Sequence, residues 1–291
     1  MCSIKIPDDD GGVVPAIPTL DPADQTGAEV GLPPTLRLRR EGAVAVLTLA
    51  RASKRNALDD TTIAGIERFF ASPPTWIAAV VLDAEGDHFS AGLDLNELTE
   101  RDTLAGLEHS MGWHRAFRAL ESGRIPVVSV LKGAVIGGGL ELATATHIRV
   151  AEPTAYYALP EGQRGLFVGG GASVRVPRLI GLHRMTDLML TGRVLDAQEG
   201  QGLGLTHYLV EEGEGFDHAL ALATRIAQNA PMTNFAVLQV LPHIAEGDPT
   251  QGYLMESLMA SVASGSEDAK QRMRLFLEGR AAKVSSEGDR G

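Results

Sequence analysis

The chain has a single cysteine, Cys2, among 291 residues. That excludes an internal disulfide framework and any multi-thiolate metal site. So few thiols suit a reducing compartment, and the cytoplasm is the expected location. Cys2 itself reads as an incidental free thiol in a tail rather than a nucleophile. Long apolar runs are missing as well. WIAAVVL (76–82) and Pro126–Leu131 fall far short of the roughly 20 residues that a membrane span needs. The opening MCSIKIPDDDGG lacks a basic start followed by an apolar block, so no secretory signal is expected. Basic charge is scarce: 26 Lys and Arg stand against 37 Asp and Glu, for a net charge of −11. A broad nucleic-acid surface needs a basic face and is excluded as an expectation. A local cluster can still act against the global sign, and Arg37, Arg39, Arg40, Arg51, Lys54 and Arg55 form one on paper. The other reading of that cluster is a solvated face. GxGxxG, GxxxxGK, HExxH and GxSxG are all absent. The eight histidines show no metal-like spacing with carboxylates, so no metal is expected. His114 and His147 read as structural.

What is present is a soluble, globular composition, 44% hydrophobic and 22% charged. Residues 1–34 carry Pro15, Pro18, Pro22, Pro33, Pro34 and the acidic run Asp8–Asp10 without periodicity, and read as a flexible extension. From Leu36 the pattern alternates and predicts a hairpin turning near Glu41–Gly42. Asp59–Asp60 opens a helix with Ile63, Ile66 and Phe70 on one face. IAAVVLDAEG and PVVSVL read as buried strands, Leu104–Leu120 and GLELATAT as helices, and HIRVAE as a strand. The strand–helix–strand unit recurs, so the class is α/β. After about Gly200 the patterns are helical: 216–230, 231–246, 253–263 and 266–283, the last with an N-cap at Ser266. Its stripe of Met273, Phe276 and Leu277 is expected to pack on the core, or on a neighbouring subunit. The predicted organisation is an extension (1–34), an α/β core (35–215) and a helical C-terminal region (216–291), with no repeat of 20–50 residues.

Two carboxylates sit in unusual company. Glu141 follows the triplet Gly137–Gly139 in an apolar run, and Glu161 lies in ALPEGQRG ahead of GLFVGGGAS. A carboxylate among apolar residues is costly to keep charged and tends to a raised pKa. Two facing one cavity can divide their work as base and acid; the plainer reading is that each accepts local hydrogen bonds. Glycine is expensive to order, so three in a row call for a reason. Backbone N–H groups at a glycine turn entering a helix can point at an oxygen bearing negative charge. Gly137–Gly139 and Gly169–Gly171 each precede a helix, and Ala91–Gly92–Leu93–Asp94 reads as a third such turn.

Together these segments resemble the crotonase superfamily, the enoyl-CoA hydratase/isomerase family, in one order along residues 35–283. LTLARASKRNAL (47–58) resembles its first strand and turn, and GDHFSAGLDLNEL (86–98) its first oxyanion segment. IPVVSVLKGAVIGGGLELATATHIRVAE (125–152) resembles its central strand, second oxyanion segment and first glutamate. YALPEGQRGLFVGGGASVRVPRLIG (157–181) resembles the segment of its second glutamate, and LTGRVLDAQEGQGLGLTHYLV (190–210) the end of its core. The resemblance implies a spiral of ββα units followed by helices that form trimers, often paired into hexamers. It implies an enoyl thioester of coenzyme A whose carbonyl oxygen lies between the N–H groups of Leu93 and Gly138. Glu141 and Glu161 would hold one water and add it across the double bond. Ala91, Gly92, Asp94 and Gly169 would line the thioester region, and Arg51, Lys54 and Arg55 would meet the coenzyme's phosphates. Coenzyme A is part of the substrate, and no metal or redox cofactor is implied.

Some positions depart from the family pattern. Leu93 stands where smaller residues are common, and Gln271–Arg272 replace the frequent glutamate–glycine. Residues 96–115, which usually line the acyl pocket, carry no diagnostic pattern. Both glutamates favour a hydratase. The alternatives are an isomerase or lyase that uses only one of them, a thioesterase, and a non-catalytic acyl-CoA-binding protein with this fold.

Overall fold

The computed structural model describes residues 30–97 and 102–280. Most of the predicted extension, and Cys2 with it, lies outside the described residues. The expected hairpin forms: β1 (Leu36–Glu41) pairs antiparallel with β2 (Val44–Leu49), and Gly42 turns between them with φ +63°. Asp59 caps α1 (Asp60–Ala71) by accepting the Thr62 N–H at 2.7 Å, and Ile63, Ile66, Phe69 and Phe70 face inward. There follow β3 (Ala79–Ala84), α2 (Thr103–Glu121), β4 (Val127–Leu131), β5 (Ala134–Ile136), α3 (Gly138–Ala145), β6 (Ile148–Ala151) and β7 (Tyr156–Ala158). Next come α4 (Ala172–Ile180), α5 (Leu182–Thr191), β8 (Leu195–Asp196), α6 (Ala197–Leu203), β9 (Tyr208–Leu209) and α7 (Gly215–Ala227). The chain ends in α8 (Pro231–Phe235), a π turn, α9 (Leu241–Glu246), α10 (Pro249–Gly265) and α11 (Glu267–Leu277).

Two sheets carry the fold. The larger has the order β1-β2-β3-β4-β6-β9, parallel except for β1; the smaller has the order β5-β7-β8. Two central passes of the chain lay one strand in each sheet before a helix, β4–β5–α3 and β6–β7 followed by α4, while the first passes, β1–β2–α1 and β3–α2, place strands only in the larger sheet. This is the predicted spiral of ββα units. The main core lies between the sheets and unites Leu47, Leu82 and Leu131 with Val135, Tyr157 and Leu195.

The alternation along β2 does not mean one wet face. Ala45, Leu47 and Leu49 join the main core, while Val44 and Val46 pack on the opposite face with Val81, Val128, Val150 and the Ala219, Leu222 and Ala223 side chains of α7. A central strand of a covered parallel sheet is buried on both sides. The first C-terminal helix thus closes the back of the sheet. The later ones project apolar side chains outward. The Met273–Phe276–Leu277 stripe does not reach this chain's own core: Leu277 is 76% exposed, and α11 buries no residue. Ser266 caps α11, its hydroxyl accepting the Ala269 N–H at 3.2 Å.

Candidate active site

The turn after β2 begins the site. Arg55 and Asn56 adopt left-handed backbone with φ near +50°, a conformation asparagine tolerates and most residues resist. Asn56 secures it by donating from Nδ2 to the carbonyls of Glu85 (2.8 Å) and His88 (2.7 Å), while its Oδ1 accepts the Arg51 N–H. The Ser90 hydroxyl donates to the Asn56 carbonyl, and the Ala91 N–H to that of Arg55. Segment 90–94 is thereby fixed against the turn. Leu58 makes a parallel bridge to Leu93, donating to the Gly92 carbonyl (2.8 Å) and accepting from Asp94 (2.9 Å). In that pattern the N–H of the bridged residue points away from the bridge, and Leu93's has no partner among the described residues.

The glycine triplet meets this segment edge to edge. Ser90 bridges Val135, and Ile136 donates to the Ser90 carbonyl. Gly137 takes φ +53°, and Gly138 begins α3, so its N–H has no intrahelical acceptor. A Cβ on Gly138 would lie 2.6 Å from Trp113 Cζ3 and 3.4 Å from the Leu93 nitrogen. One on Gly139 would lie 2.5 Å from the Ser90 carbonyl oxygen, and one on Gly92 2.6 Å from that of Ile136. Close backbone approach, and not only turn geometry, is what the glycines supply. The segment after Asp94 is a 3₁₀ turn, Leu95–Glu97, rather than the expected helix; 98–101 lie outside the described residues.

Both glutamates reach the same cavity, of about 780 Å³, with Leu93, Gly138, Ala91, Gly92, Asp94 and Gly169 in its lining. Glu141 is only 4% exposed. Its Oε1 accepts the N–H groups of Gly170 (2.7 Å) and Ala172 (3.0 Å). Burial raises its pKa, while those two amides and then Arg175 act the other way. Glu161 sits in the 3₁₀ turn Pro160–Arg164, with its Oε2 buried and without a hydrogen-bond partner among the described residues. Burial pushes it up to about 7, and the nearby Glu141 adds to the rise. The two carboxyls are therefore unequal. Burial raises both, but two backbone amides stabilise an anion at Glu141 while Glu161 Oε2 accepts none.

This has a measurable consequence. A carboxyl raised from 4.5 to about 7 binds its proton more tightly in the folded state. Its penalty is absent below the unfolded value and complete above the folded one. Glu161→Gln is therefore expected to raise the thermal midpoint at pH 8 and leave it unchanged at pH 4. With the shift discounted for partial exposure, the gain is on the order of 1 kcal/mol, or about 2–4 °C. Calorimetry at the two pH values checks this; equal midpoints at pH 8 would contradict it.

The basic residues divide. Lys54 and Arg55 line the cavity, as does Arg164. Arg51 does not: its guanidinium is engaged by Asp94 (2.7 Å), Asp59 (3.1 Å) and the Ala57 carbonyl (2.7 Å). Two carboxylates thus share the charge expected to meet a phosphate. The Asn96 amide and then Arg51 hold Asp94 below the usual carboxylate range. Arg37, Arg39 and Arg40 lie elsewhere, against Glu85, Phe216 and Trp76 respectively. His147 is structural: its Nδ1 accepts the Val127 N–H, and burial lowers its pKa to about 4. The sequence reading singled out none of His109, Ser110, Trp113, Arg164 and Phe167, all in the lining. A Trp and a Ser at i, i+3 on one helix face, opposite a glycine triplet, is a weak signal. Among the described residues no cluster of His, Cys, Asp and Glu could hold a metal, and no helix is long and apolar enough to cross a membrane.

Known proteins share this chain's sequence pattern and fold. The sequence profile described as enoyl-CoA hydratase/isomerase matches residues 39–287. The short-chain-enoyl-CoA hydratase of Clostridium acetobutylicum is 30% identical over 246 residues, 84% of this chain and 94% of that protein. The 2,3-dehydroadipyl-CoA hydratase of Escherichia coli is 29% identical over 249 residues, 84% of this chain and 96% of that one. The crystal structure of a "putative enoyl-CoA hydratase" from Rhodopseudomonas palustris is 58% identical, with a TM-score of 0.84 over 87% of this chain and 98% of that one.

Proposed function

We propose that this chain, which belongs to the enoyl-CoA hydratase/isomerase family, adds water across the 2,3 double bond of an enoyl thioester of coenzyme A and yields the 3-hydroxyacyl thioester. One observation carries the reading: two buried carboxyls, one bonded to two backbone amides and one without a partner, share a cavity with the unpartnered N–H groups of Leu93 and Gly138. The thioester oxygen accepts both N–H groups, which stabilise the enolate as electron density moves onto it. Glu141, as carboxylate, takes a proton from water as the water oxygen bonds to Cβ. The π pair shifts toward the thioester, and Glu161 delivers its proton to Cα. One proton enters the pair and one leaves it, and exchange with solvent restores the starting state. No step needs a metal or a redox group.

Lys54, Arg55 and Arg164 supply positive charge in the cavity lining for the coenzyme's phosphates. A homotrimer, or a dimer of trimers, would cover the apolar side chains that α10 and α11 expose: Tyr253, Leu254, Leu258, Val262, Met273, Phe276 and Leu277. The reducing compartment suggested by the cysteine count makes the cytoplasm the working location. The test is turnover of crotonyl-CoA, followed by loss of the enoyl thioester and identification of the product, then a panel of longer, branched and aromatic enoyl thioesters. 3-Hydroxyacyl-CoA is the expected product. Double-bond migration alone would make the enzyme an isomerase, released thiol would make it a thioesterase, and tight binding without turnover would leave a binding protein.

A further inference from the structure

Arg175, on α4, is an arginine only 7% exposed. Burying a guanidinium costs several kcal/mol unless its donors are satisfied, and an apolar side chain would fill the same space without that cost. Its bonds are specific. Nη2 donates to the Gly170 carbonyl (2.5 Å) and to the Glu141 carbonyl (3.1 Å), and Nη1 reaches Glu121 Oε2 at 3.3 Å. The guanidinium carbon lies 5.7 Å from the centre of the Phe117 ring. It folds back over its own helix start so closely that a Cβ on Gly171 would be 2.6 Å from Nη1.

The partners matter more than the number of bonds. Gly170 is one of the two residues whose amides hold Glu141 Oε1, and the other, Ala172, follows two positions later. Arg175 therefore ties the backbone of Glu141 to the turn that binds the side chain of Glu141. Lose the clamp, and the two amides and the carboxylate are free to drift apart. The charged and titratable groups acting on Glu141 are Arg175 from α4, His114 from α2 and Glu161 from the 3₁₀ turn, with Glu121 of α2 behind Arg175.

We infer that Arg175 is a positioning residue for the hydration reaction: by bridging the carbonyls of Gly170 and Glu141 it holds the amide pair in register with the Glu141 carboxylate. Its charge also favours the ionised form that takes the proton from water. The inference rests on the hydratase reading.

The test compares wild type, Arg175→Met and Arg175→Lys on crotonyl-CoA, with kcat, KM, the pH profile of kcat and the thermal midpoint measured for each. For Arg175→Met, kcat is expected to fall about 10²-fold, the scale of a misplaced catalytic group, with KM little changed. The acidic limb of the profile is expected to move up by about one pH unit, since a neighbouring positive charge is gone. Arg175→Lys keeps the charge but not the planar fork that spans two carbonyls. It should leave the limb in place while kcat falls about tenfold. A folded Arg175→Met variant with wild-type kcat, or one slowed with an unmoved acidic limb, overturns the inference and leaves Arg175 a packing residue. If the methionine variant does not fold, the lysine variant decides, and wild-type kcat in it overturns the inference. Wild-type protein that turns over no enoyl thioester removes the hydratase reading and this inference with it. An active wild type with an unaltered methionine variant removes this inference alone.

Discussion

Glu161→Gln is expected to lower kcat for crotonyl-CoA hydration by about 10²–10⁴-fold, the range for loss of a positioned acid or base, with KM little changed. Glutamine keeps the shape of the side chain and removes its transferable proton. Binding should survive, because the contacts proposed for the thioester and the coenzyme are made by other residues; the step that delivers hydrogen to Cα should not. Glu141→Gln is expected to fall by a similar factor for a different reason. Its Oε1 accepts two backbone amides, and a glutamine oxygen can accept them too, but its nitrogen cannot take a proton from water. The two variants should differ in their pH profiles. Wild-type hydration should decline as pH rises through about 7, where Glu161 loses its proton, and decline at low pH as Glu141 gains one. Each variant should lose the limb of the residue it replaces. Near-normal turnover by either variant would end the two-carboxyl mechanism. Equal losses with both limbs intact would reassign the limbs to other groups.

The class of fold was legible because period and punctuation agree. Asp59 caps α1 where its position ahead of an apolar stripe predicts, and Gly42 turns the hairpin. What local pattern cannot carry is which face meets which. β2 alternates in sequence yet is buried on both sides, because α7, more than 160 residues later, covers the face that looked free. The stripe on α11 reads as core from its spacing and is exposed here; amphipathicity announces that a face is to be covered, not by what. At the site, the glycines and the two glutamates stand out because they break local rules: glycines inside an apolar run, Glu141 between two leucines, and Glu161 just ahead of a second glycine-rich run. Arg51 shows a related limit of local pattern. Its sequence neighbours are basic, so it looked like part of an anion site, but Asp94 arrives from 43 positions away and takes its charge. Trp113, Ser110 and Arg175 gave no comparable sign, since a tryptophan, a serine or an arginine on an amphipathic helix breaks no rule until the partner across the cavity is known.

Gly138→Ala should be nearly as damaging as loss of a glutamate, though one methyl group is all it adds. Helical backbone at that position suits alanine, and its φ lies outside the left-handed range, so conformational strain is not the issue. Space is. The new Cβ would stand 2.6 and 2.9 Å from two carbons of the Trp113 ring. That indole is held edge-on to Phe117 at 5.6 Å and near His109 at 6.0 Å, so it cannot retreat freely. Overpacking of this kind costs about 1–3 kcal/mol of stability. The same methyl lies 3.4 Å from the nitrogen of Leu93, the other amide proposed to meet the thioester oxygen. Spoiling one such donor raises the barrier by about 2.7–4 kcal/mol, or roughly 10²–10³-fold in kcat. The two defects separate in a double variant. Trp113→Leu combined with Gly138→Ala removes the clash and should recover most of the thermal midpoint, while kcat is expected to stay low because the methyl still crowds the Leu93 amide. If turnover returned along with stability, the methyl would not be obstructing that oxygen, and the carbonyl would have to bind somewhere other than between Leu93 and Gly138.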